Sequence, residues 1–181
     1  MSTSDISASR GVVLKPSFHF MKLKASRWVA FGFGAGLTPI MPGTVGTLWA
    51  WIGFLLIDSG LRSLWLGEAG YNIAWGAIVI ASFAIGTWAC GRTGKDLGIS
   101  DHGAMVWDEF VAFWLVLWVL DAGQASFSTQ LGAFFVFRFF DMVKPPPIRY
   151  FERRFKSGFG VMFDDILAAV FTLLVFAWWR S

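Results

Sequence analysis

Five apolar segments alternate with polar, charge-bearing stretches along the chain, at about residues 44–57, 72–90, 104–120, 127–143 and 161–179. Because a membrane-spanning helix needs about 17–25 apolar residues, the second, third and fifth segments are long enough to span and the fourth is just long enough. The first segment is short, and the Gly/Pro-rich run FGFGAGLTPIMPG at residues 31–43 precedes it. Irregular backbone at membrane depth must be buried in protein or line a wet cavity, so this run predicts a re-entrant or interfacial loop.

The number of lysine and arginine residues alternates between low and high from one connection between apolar segments to the next. Connection 58–71 carries one basic residue and connection 121–126 carries none, whereas 91–103 carries two. Cytoplasmic connections are enriched in lysine and arginine, so this pattern predicts five spans with a cytoplasmic N-terminus and an outer C-terminus. The densest stretches are the leader, with Arg10, Lys15, Lys22, Lys24 and Arg27, and connection 144–160, with Lys144, Arg149, Arg153, Arg154 and Lys156.

The composition agrees with a membrane protein and sets the fold class. Of the 181 residues, 56% are hydrophobic and 15% are charged, and the mean hydropathy is +0.59. Soluble domains have about 45–50% apolar and about 25% charged residues. We therefore predict an all-α, multi-pass membrane helical bundle of about five hydrophobic helices. Residues 1–27 are expected to be a basic, partly disordered cytoplasmic leader, and residues 28–181 a single membrane-embedded domain. No nucleic-acid partner is expected, and the sequence leaves the oligomeric state open.

Carboxylates occur at the ends of the apolar segments, where charge is unfavourable. An ionised carboxylate inside the bilayer costs about 2.5–3.5 kcal/mol on insertion scales unless it is paired or binds a metal, and adjacent acids repel each other. The chain carries two adjacent pairs, Asp108–Glu109 and Asp164–Asp165, which the predicted topology places at the cytoplasmic ends of their helices. Adjacent residues point about 100° apart on a helix, so one member of each pair can face the bundle interior while the other flanks it.

These hard oxygen ligands favour Mg²⁺, which keeps several waters and takes one or two carboxylates together with substrate phosphate. The alternative is that the acids only complement helix N-termini, an effect of about 0.3–1 kcal/mol each. Complementing a helix N-terminus is enough to explain one such acid. Four acids at matched depth in two helices instead favour a metal or catalytic site. The candidate metal ligands are Asp96, Asp101, Asp108, Glu109, Asp141, Asp164 and Asp165.

Basic and hydroxyl side chains near these acids supply candidate phosphate-binding groups. Arg138, Asp141 and Lys144 are spaced three apart on one helix side, so Arg138 either neutralises Asp141 or binds an anionic substrate, and both readings stay open. Thr44, in the loop PGTVGTL at residues 42–48, is a candidate N-cap, which fits either a phosphate site or ordinary capping.

Two further features bear on the type of chemistry. His102 is either a general acid or base or a hydrogen-bonding loop residue, and the second reading is favoured. The sequence has no GxSxG elbow, no zinc-binding histidine pair and no Walker loop, which argues against serine or zinc hydrolysis and against a P-loop nucleotide site.

Five motifs resemble the bacterial phosphatidylglycerophosphatase A family over about residues 25–180. They are GLTPIMPGTVGTL (36–48), KDLG (95–98), DHGAMVWDEF (101–110), FRFFDMVKPPPI (137–148) and GFGVMFDDILA (158–168). The resemblance implies a Mg²⁺-dependent enzyme that removes the terminal phosphate of phosphatidylglycerophosphate in the bacterial inner membrane, giving phosphatidylglycerol. It also implies a polar set, namely Asp96, Asp101, His102, Asp108, Glu109, Arg138, Asp141, Lys144, Asp164 and Asp165.

We therefore predict a lipid phosphomonoesterase with a cytoplasmic site. Direct attack of water and attack of a carboxylate to form an acyl phosphate are both left open. The alternative function is a cation transporter or channel, which predicts acids distributed across the bilayer. The expected catalytic residues are Asp108, Glu109, Asp141, Asp164, Asp165 and His102, and the expected phosphate-binding residues are Thr44, Thr47, Lys95, Arg138 and Lys144.

Two expectations concern residues outside this site. At helical spacing, Ile148, Phe151 and Phe155 fall on one side of connection 144–160, which predicts a short interfacial amphipathic helix that attracts anionic lipid or only sets topology. The outer halves of the spans are expected to carry no comparable charge. The remaining acids Asp58, Glu68, Asp121 and Glu152 are expected in loops or on the amphipathic stretch.

Overall fold

The computed structural model describes residues 16–121 and 123–181, and within these ranges the chain is helical without any strand. This confirms the predicted all-α class. A short 3₁₀ segment, Gly32–Leu37, lies between the second and third α-helices. The α-helices are α1 (Phe18–Lys22), α2 (Ala25–Ala30), α3 (Pro42–Ser63), α4 (Gly67–Leu97), α5 (Trp107–Val119), α6 (Phe127–Val143), α7 (Ile148–Arg154) and α8 (Gly158–Arg180).

In the part of the chain that the structure describes, three helices are long and apolar enough to cross a membrane: α3, α4 and residues Gly158–Trp179 of α8. The first apolar segment was expected to be short, but α3 has 22 residues because the helix continues through the polar stretch that follows it. The 17 residues of α6 lie at the lower limit for a span of the hydrocarbon core. The count of five spans therefore stays a prediction.

Helix α5 is the centre of the bundle and packs against α3, α4, α6 and α8. It has 13 residues, and all side chains from Trp107 to Trp114 are buried. At about 1.5 Å per residue, a helix of this length covers about 20 Å, which is less than the hydrocarbon core of about 30 Å. The third apolar segment was expected to be long enough to span, whereas its helix α5 is shorter than that. The segment is apolar because its side chains are buried among the other helices of the bundle.

The irregular segment between α2 and α3 packs against the chain that leads into α5. Phe33 and Gly34 have positive φ angles of 54° and 106°. A Cβ atom on Gly32 would lie 2.8 Å from Val106 Cγ2, so only glycine allows this approach. The backbone is irregular as predicted, whereas the membrane depth of the segment stays a prediction.

Helix α3 begins differently from the prediction. Its N-cap is Met41, in the left-handed region at φ 50°, and Pro42 occupies the first turn. No side chain caps this end, so the prediction of Thr44 as N-cap was wrong: Thr44 lies inside the helix. The reason is that proline is preorganised for the first helical position and needs no hydrogen-bond acceptor for its nitrogen.

The predicted leader is partly folded onto the bundle. Ser17 caps α1 by accepting a hydrogen bond from Phe20 N at 3.1 Å. The buried Arg27 donates to Phe20 O at 2.9 Å and to Asp96 Oδ2 at 2.9 Å. Helix α2 therefore crosses the boundary expected after residue 27, and the Ser-rich start of the leader lies outside the described residues.

A second polar network lies at the end of the bundle where α3 ends and α4 begins. Asp58 is buried inside α3, and it accepts hydrogen bonds from Arg62 Nε at 2.8 Å, Trp75 Nε1 at 3.3 Å and the Tyr71 hydroxyl. Arg62 also pairs with Asp121 at 2.6 Å. The expectation that Asp58 lies in a loop was wrong, and so was the expectation that this end lacks comparable charge. These donors compensate the buried carboxylate.

Candidate active site

Five carboxylates from three helices converge at the end of the bundle where α5 begins. Asp108 interacts electrostatically with Glu109, Asp141 and Asp164, and Asp165 interacts with all four of these acids. Each of the five side chains is buried, with an exposed fraction of 2–9%. We call this group the carboxylate cluster; it consists of Asp108, Glu109, Asp141, Asp164 and Asp165.

Both members of each adjacent acid pair are buried, whereas only one of each pair was expected to face the interior. Asp108 and Glu109 are each 8% exposed, and Asp164 and Asp165 are each 2% exposed. The reason is that α5 and α8 are each enclosed by four other helices, so directions about 100° apart still point into protein. The burial of like charges is therefore greater than helix periodicity predicted.

Arg138 bridges two members of the carboxylate cluster. Its Nη1 atom donates to Glu109 Oε1 at 3.1 Å and also to Asp141 Oδ2. The predicted pair within α6 is confirmed, and the contact with Glu109 additionally ties α6 to α5. Arg138 therefore orients two carboxylates as well as neutralising one of them.

Lys144 was expected to bind phosphate, and in the structure it contacts an acid of the carboxylate cluster. It follows the last residue of α6 with φ at 45°, and its ammonium donates to Asp164 Oδ2 on α8. Ion pairs among the described residues therefore connect α6 to α5 through Glu109 and join the end of α6 to α8 through Asp164, and one lies within α6.

The stretch PGTVGTL, predicted as a loop, forms the first turns of α3, and its glycines allow this helix to approach the cluster closely. A Cβ atom on Gly46 would lie 2.8 Å from Glu109 Oε2, and one on Gly43 would lie 3.0 Å from an Arg138 guanidinium nitrogen. Thr47 is buried, and its hydroxyl donates to Gly43 O at 2.9 Å. The glycines were not among the predicted site residues, although their spacing at the start of an apolar helix was a usable signal.

The chemistry of the cluster fits a hard divalent cation. Glu109 Oε2 and Asp165 Oδ2 are buried and lack a hydrogen-bond partner among the described residues. Leaving a buried polar atom unsatisfied costs about 1–3 kcal/mol, and more when it is charged. Within residues 16–121 and 123–181, no three acidic, histidine or cysteine side chains form a ready-made metal-binding group. Mg²⁺ is compatible with this, because water and substrate phosphate complete its coordination.

Several predicted site residues lie away from the cluster. Asp96 pairs with Lys24 at 2.7 Å and with Arg27 at 2.9 Å, so it joins α4 to the leader. Lys95 is exposed and lines a groove of about 460 Å³ together with Arg92 and Trp88. Neither residue is brought to the carboxylates by the fold.

The loop before α5 lies closer to the cluster. His102 Nδ1 accepts a hydrogen bond from Ala104 N at 3.1 Å, which agrees with its reading as a hydrogen-bonding loop residue. Asp101 is exposed and interacts electrostatically with Asp108. Thr44 is partly buried in the first helical turn of α3, at the same end that contacts Glu109.

Comparison with known proteins places this architecture in a family. The family model described as Phosphatidylglycerophosphatase A matches residues 28–179. The chain is 39% identical over 145 residues to "Phosphatidylglycerophosphatase A" of Escherichia coli, covering 78% of this chain and 76% of that protein. It is 42% identical over 150 residues to the protein of the same name from Haemophilus influenzae, covering 81% and 83%.

A third relative carries a different name. The chain is 35% identical over 152 residues to "Putative phosphatidylinositol-3-phosphatase" of Bacteroides thetaiotaomicron, covering 82% of this chain and 89% of that protein. No solved structure matches the chain. Because the family model and the first two relatives cover most of its length, the chain belongs to the phosphatidylglycerophosphatase A family, whose members are phosphoric monoester hydrolases.

Proposed function

We propose that the chain is a Mg²⁺-dependent lipid phosphatase that hydrolyses phosphatidylglycerophosphate to phosphatidylglycerol and phosphate at the cytoplasmic face of the inner membrane. The observation that carries this proposal is the carboxylate cluster, buried at one end of a bundle with three helices long enough to cross a membrane. The two relatives named phosphatidylglycerophosphatase A support the substrate. The site lies at the helix ends, where a lipid headgroup is within reach.

The charge balance of the cluster supports a requirement for a divalent cation. Among the residues that the structure describes, Arg138 and Lys144 are basic side chains that pair with members of the cluster, which has five acids. A phosphate monoester carries nearly two negative charges at neutral pH. Two like unit charges about 4 Å apart repel by about 4 kcal/mol at an effective dielectric constant of about 20. The substrate therefore needs added positive charge in order to approach these acids.

The members of the carboxylate cluster are the residues that would hold Mg²⁺. When bound, the ion supplies positive charge that offsets the charge of the phosphate group. Arg138 holds Glu109 and Asp141 in a fixed relation, and Lys144 holds Asp164. Asp96 is excluded from this proposal because it already neutralises two basic residues of the leader segment.

The hydrolysis requires a carboxylate with an available lone pair. Glu109 Oε2 and Asp165 Oδ2 meet this requirement, because neither accepts a hydrogen bond from the described residues. One such oxygen either accepts a proton from the attacking water or attacks phosphorus itself, giving an acyl phosphate that water then hydrolyses. In both routes the phosphorus–oxygen bond to glycerol breaks, and the glycerol oxygen takes up a proton.

Phosphate release by the purified protein tests this function. We expect release from phosphatidylglycerophosphate in the presence of Mg²⁺, its loss on addition of EDTA, and its recovery with excess Mg²⁺. Phosphatidylinositol 3-phosphate belongs in the same assay, because one relative is named for that substrate. Equal rates with and without metal would contradict the metal requirement. Cation flux into proteoliposomes without phosphatase activity would instead support the transporter alternative.

A further inference from the structure

A cavity of about 320 Å³ lies against the carboxylate cluster, at the side formed by the start of α8. Asp164 lines it, so the cavity reaches the cluster directly. Ser100 and Asp101, from the loop before α5, line another side, and Lys156, from the connection between α7 and α8, lines a third. Among the side chains that the structure describes, Lys156 is the basic residue in the cavity lining.

The connection that carries Lys156 is held in place by its own packing. Ser157 caps α8 by accepting a hydrogen bond from Gly160 N at 3.4 Å. A Cβ atom on Gly160 would lie 2.6 Å from the Phe155 carbonyl carbon, so the turn closes tightly on itself. A Cβ atom on Gly158 would lie 2.8 Å from Gly91 Cα, so the start of α8 also packs closely on α4. The backbone on both sides of Lys156 is thereby fixed relative to the cavity.

The position of Lys156 differs from that of the two basic residues already in the site. Arg138 and Lys144 form ion pairs with members of the cluster and therefore balance its charge. Lys156 is exposed at the cavity wall, where its ammonium can meet a group that enters from outside. An anionic group that enters here approaches Asp164 and Asp101, and a basic side chain on the opposite wall offsets this repulsion.

We propose that this cavity receives the terminal phosphate of the lipid substrate and that Lys156 binds this phosphate directly. The proposal rests on the function proposed above and adds a substrate-binding residue and an entry route. Lys156 then contributes to recognition of a phosphomonoester, whose two charges a lysine ammonium attracts more strongly than the single charge of a phosphodiester. A lysine that only attracts an anionic membrane would act on every negatively charged lipid alike.

The test separates direct phosphate binding from general attraction to the membrane. Wild-type protein, Lys156→Gln and Lys156→Arg are assayed with a short-chain phosphatidylglycerophosphate in neutral detergent micelles, where no anionic membrane is present. Both KM and the inhibition constant for inorganic phosphate are measured. Lys22→Gln is the matched control, because Lys22 is an exposed lysine on α1 that lies outside the cavity.

We expect Lys156→Gln to raise KM and the phosphate inhibition constant together, each by about tenfold or more, since a charge-assisted contact to phosphate is lost. Lys156→Arg should recover most of both constants, and Lys22→Gln should match wild type. If both constants of Lys156→Gln are unchanged in neutral micelles, the proposal is overturned. A rise in KM that occurs only in anionic vesicles overturns it as well, because Lys156 then only attracts the membrane. Failure of the proposed function is distinguishable, because the wild-type protein would then release no phosphate.

Discussion

Lys144 at the end of α6 forms an ion pair with Asp164 on α8, 20 residues further along the chain. The carboxylate is 3% exposed and the lysine side chain is 20% exposed, so the acid is the more deeply buried member of the pair. The pair also closes the segment between the two helices, which contains α7. It therefore contributes both to the charge balance of the site and to the packing of α6 against α8.

The first prediction concerns this pair. Lys144→Met should lower the free energy of unfolding by about 1–3 kcal/mol, because it removes a hydrogen-bond donor from a buried carboxylate. Lys144→Arg should keep most of the stability, since it retains the positive charge. Thermal unfolding in detergent measures both changes. If Lys144→Met unfolds at the wild-type temperature, the pair does not stabilise the fold.

The second prediction concerns the role of Asp108, a buried acid of the carboxylate cluster. Asp108 forms no ion pair with the described residues and lies among like charges. Asp108→Asn should therefore reduce turnover by at least about a hundredfold while leaving the melting temperature unchanged or raised, since repulsion is relieved. Glu68→Gln, an exposed acid at the other end of the bundle, is the control and should be silent. Retained turnover in Asp108→Asn would show that this acid is not part of the catalytic machinery.

The location of the carboxylate cluster could be predicted from the sequence, but its internal pairing could not. Adjacent acids at the ends of apolar segments are unfavourable enough to indicate a site without any structure. Which cation neutralises which acid depends on how α5, α6 and α8 approach each other, and no local pattern encodes this. The Lys144–Asp164 pair and the contact between Arg138 and Glu109 are both of this kind.

The number of spans stays a prediction for a related reason. Helix α5 is as apolar as a spanning helix because the other helices surround it, and composition does not distinguish burial in protein from burial in lipid. The network around Asp58 was missed although it left a signal. Asp58 and Arg62 are four residues apart, which is the spacing of an ion pair on one helix face. The two aromatic donors, Tyr71 and Trp75, are also four residues apart, on the next helix.

The third prediction tests this network at the end remote from the cluster. Asp58→Ala should lower the free energy of unfolding by about 2–4 kcal/mol, because it leaves Arg62 without its buried partner and removes the acceptor for Tyr71 and Trp75. The folded fraction should keep the wild-type KM. Activity normalised to folded protein, together with thermal unfolding, measures this. A changed KM with normal stability would assign the network to substrate binding instead.

The fourth prediction concerns the close approach of α3 to α5. Gly46→Ala should reduce both stability and activity, because its Cβ atom would lie 2.7 Å from Val106 Cβ and 2.8 Å from Glu109 Oε2. The matched control on the same helix is Gly60→Ala, which meets no atom within 4 Å. That control should stabilise the helix by up to about 1 kcal/mol, the difference in helix propensity. Melting temperature and phosphate release are measured for both variants, and equal effects would show that the contact with Glu109 is unimportant.

The fifth prediction tests the orientation of the chain in the membrane. Arg149 on α7 and Trp65 between α3 and α4 are both exposed. Helix α7 follows the end of α6 that carries Asp141, whereas Trp65 follows the end of α3 that carries Asp58. The native Cys90 is fully buried, so a cysteine introduced at either position supplies the accessible thiol. A membrane-impermeant maleimide should label Arg149→Cys only in inverted vesicles and Trp65→Cys only in right-side-out vesicles, because the lysine- and arginine-rich connections face the cytoplasm. The opposite labelling pattern would place the carboxylate cluster at the outer face and overturn the proposed cytoplasmic site.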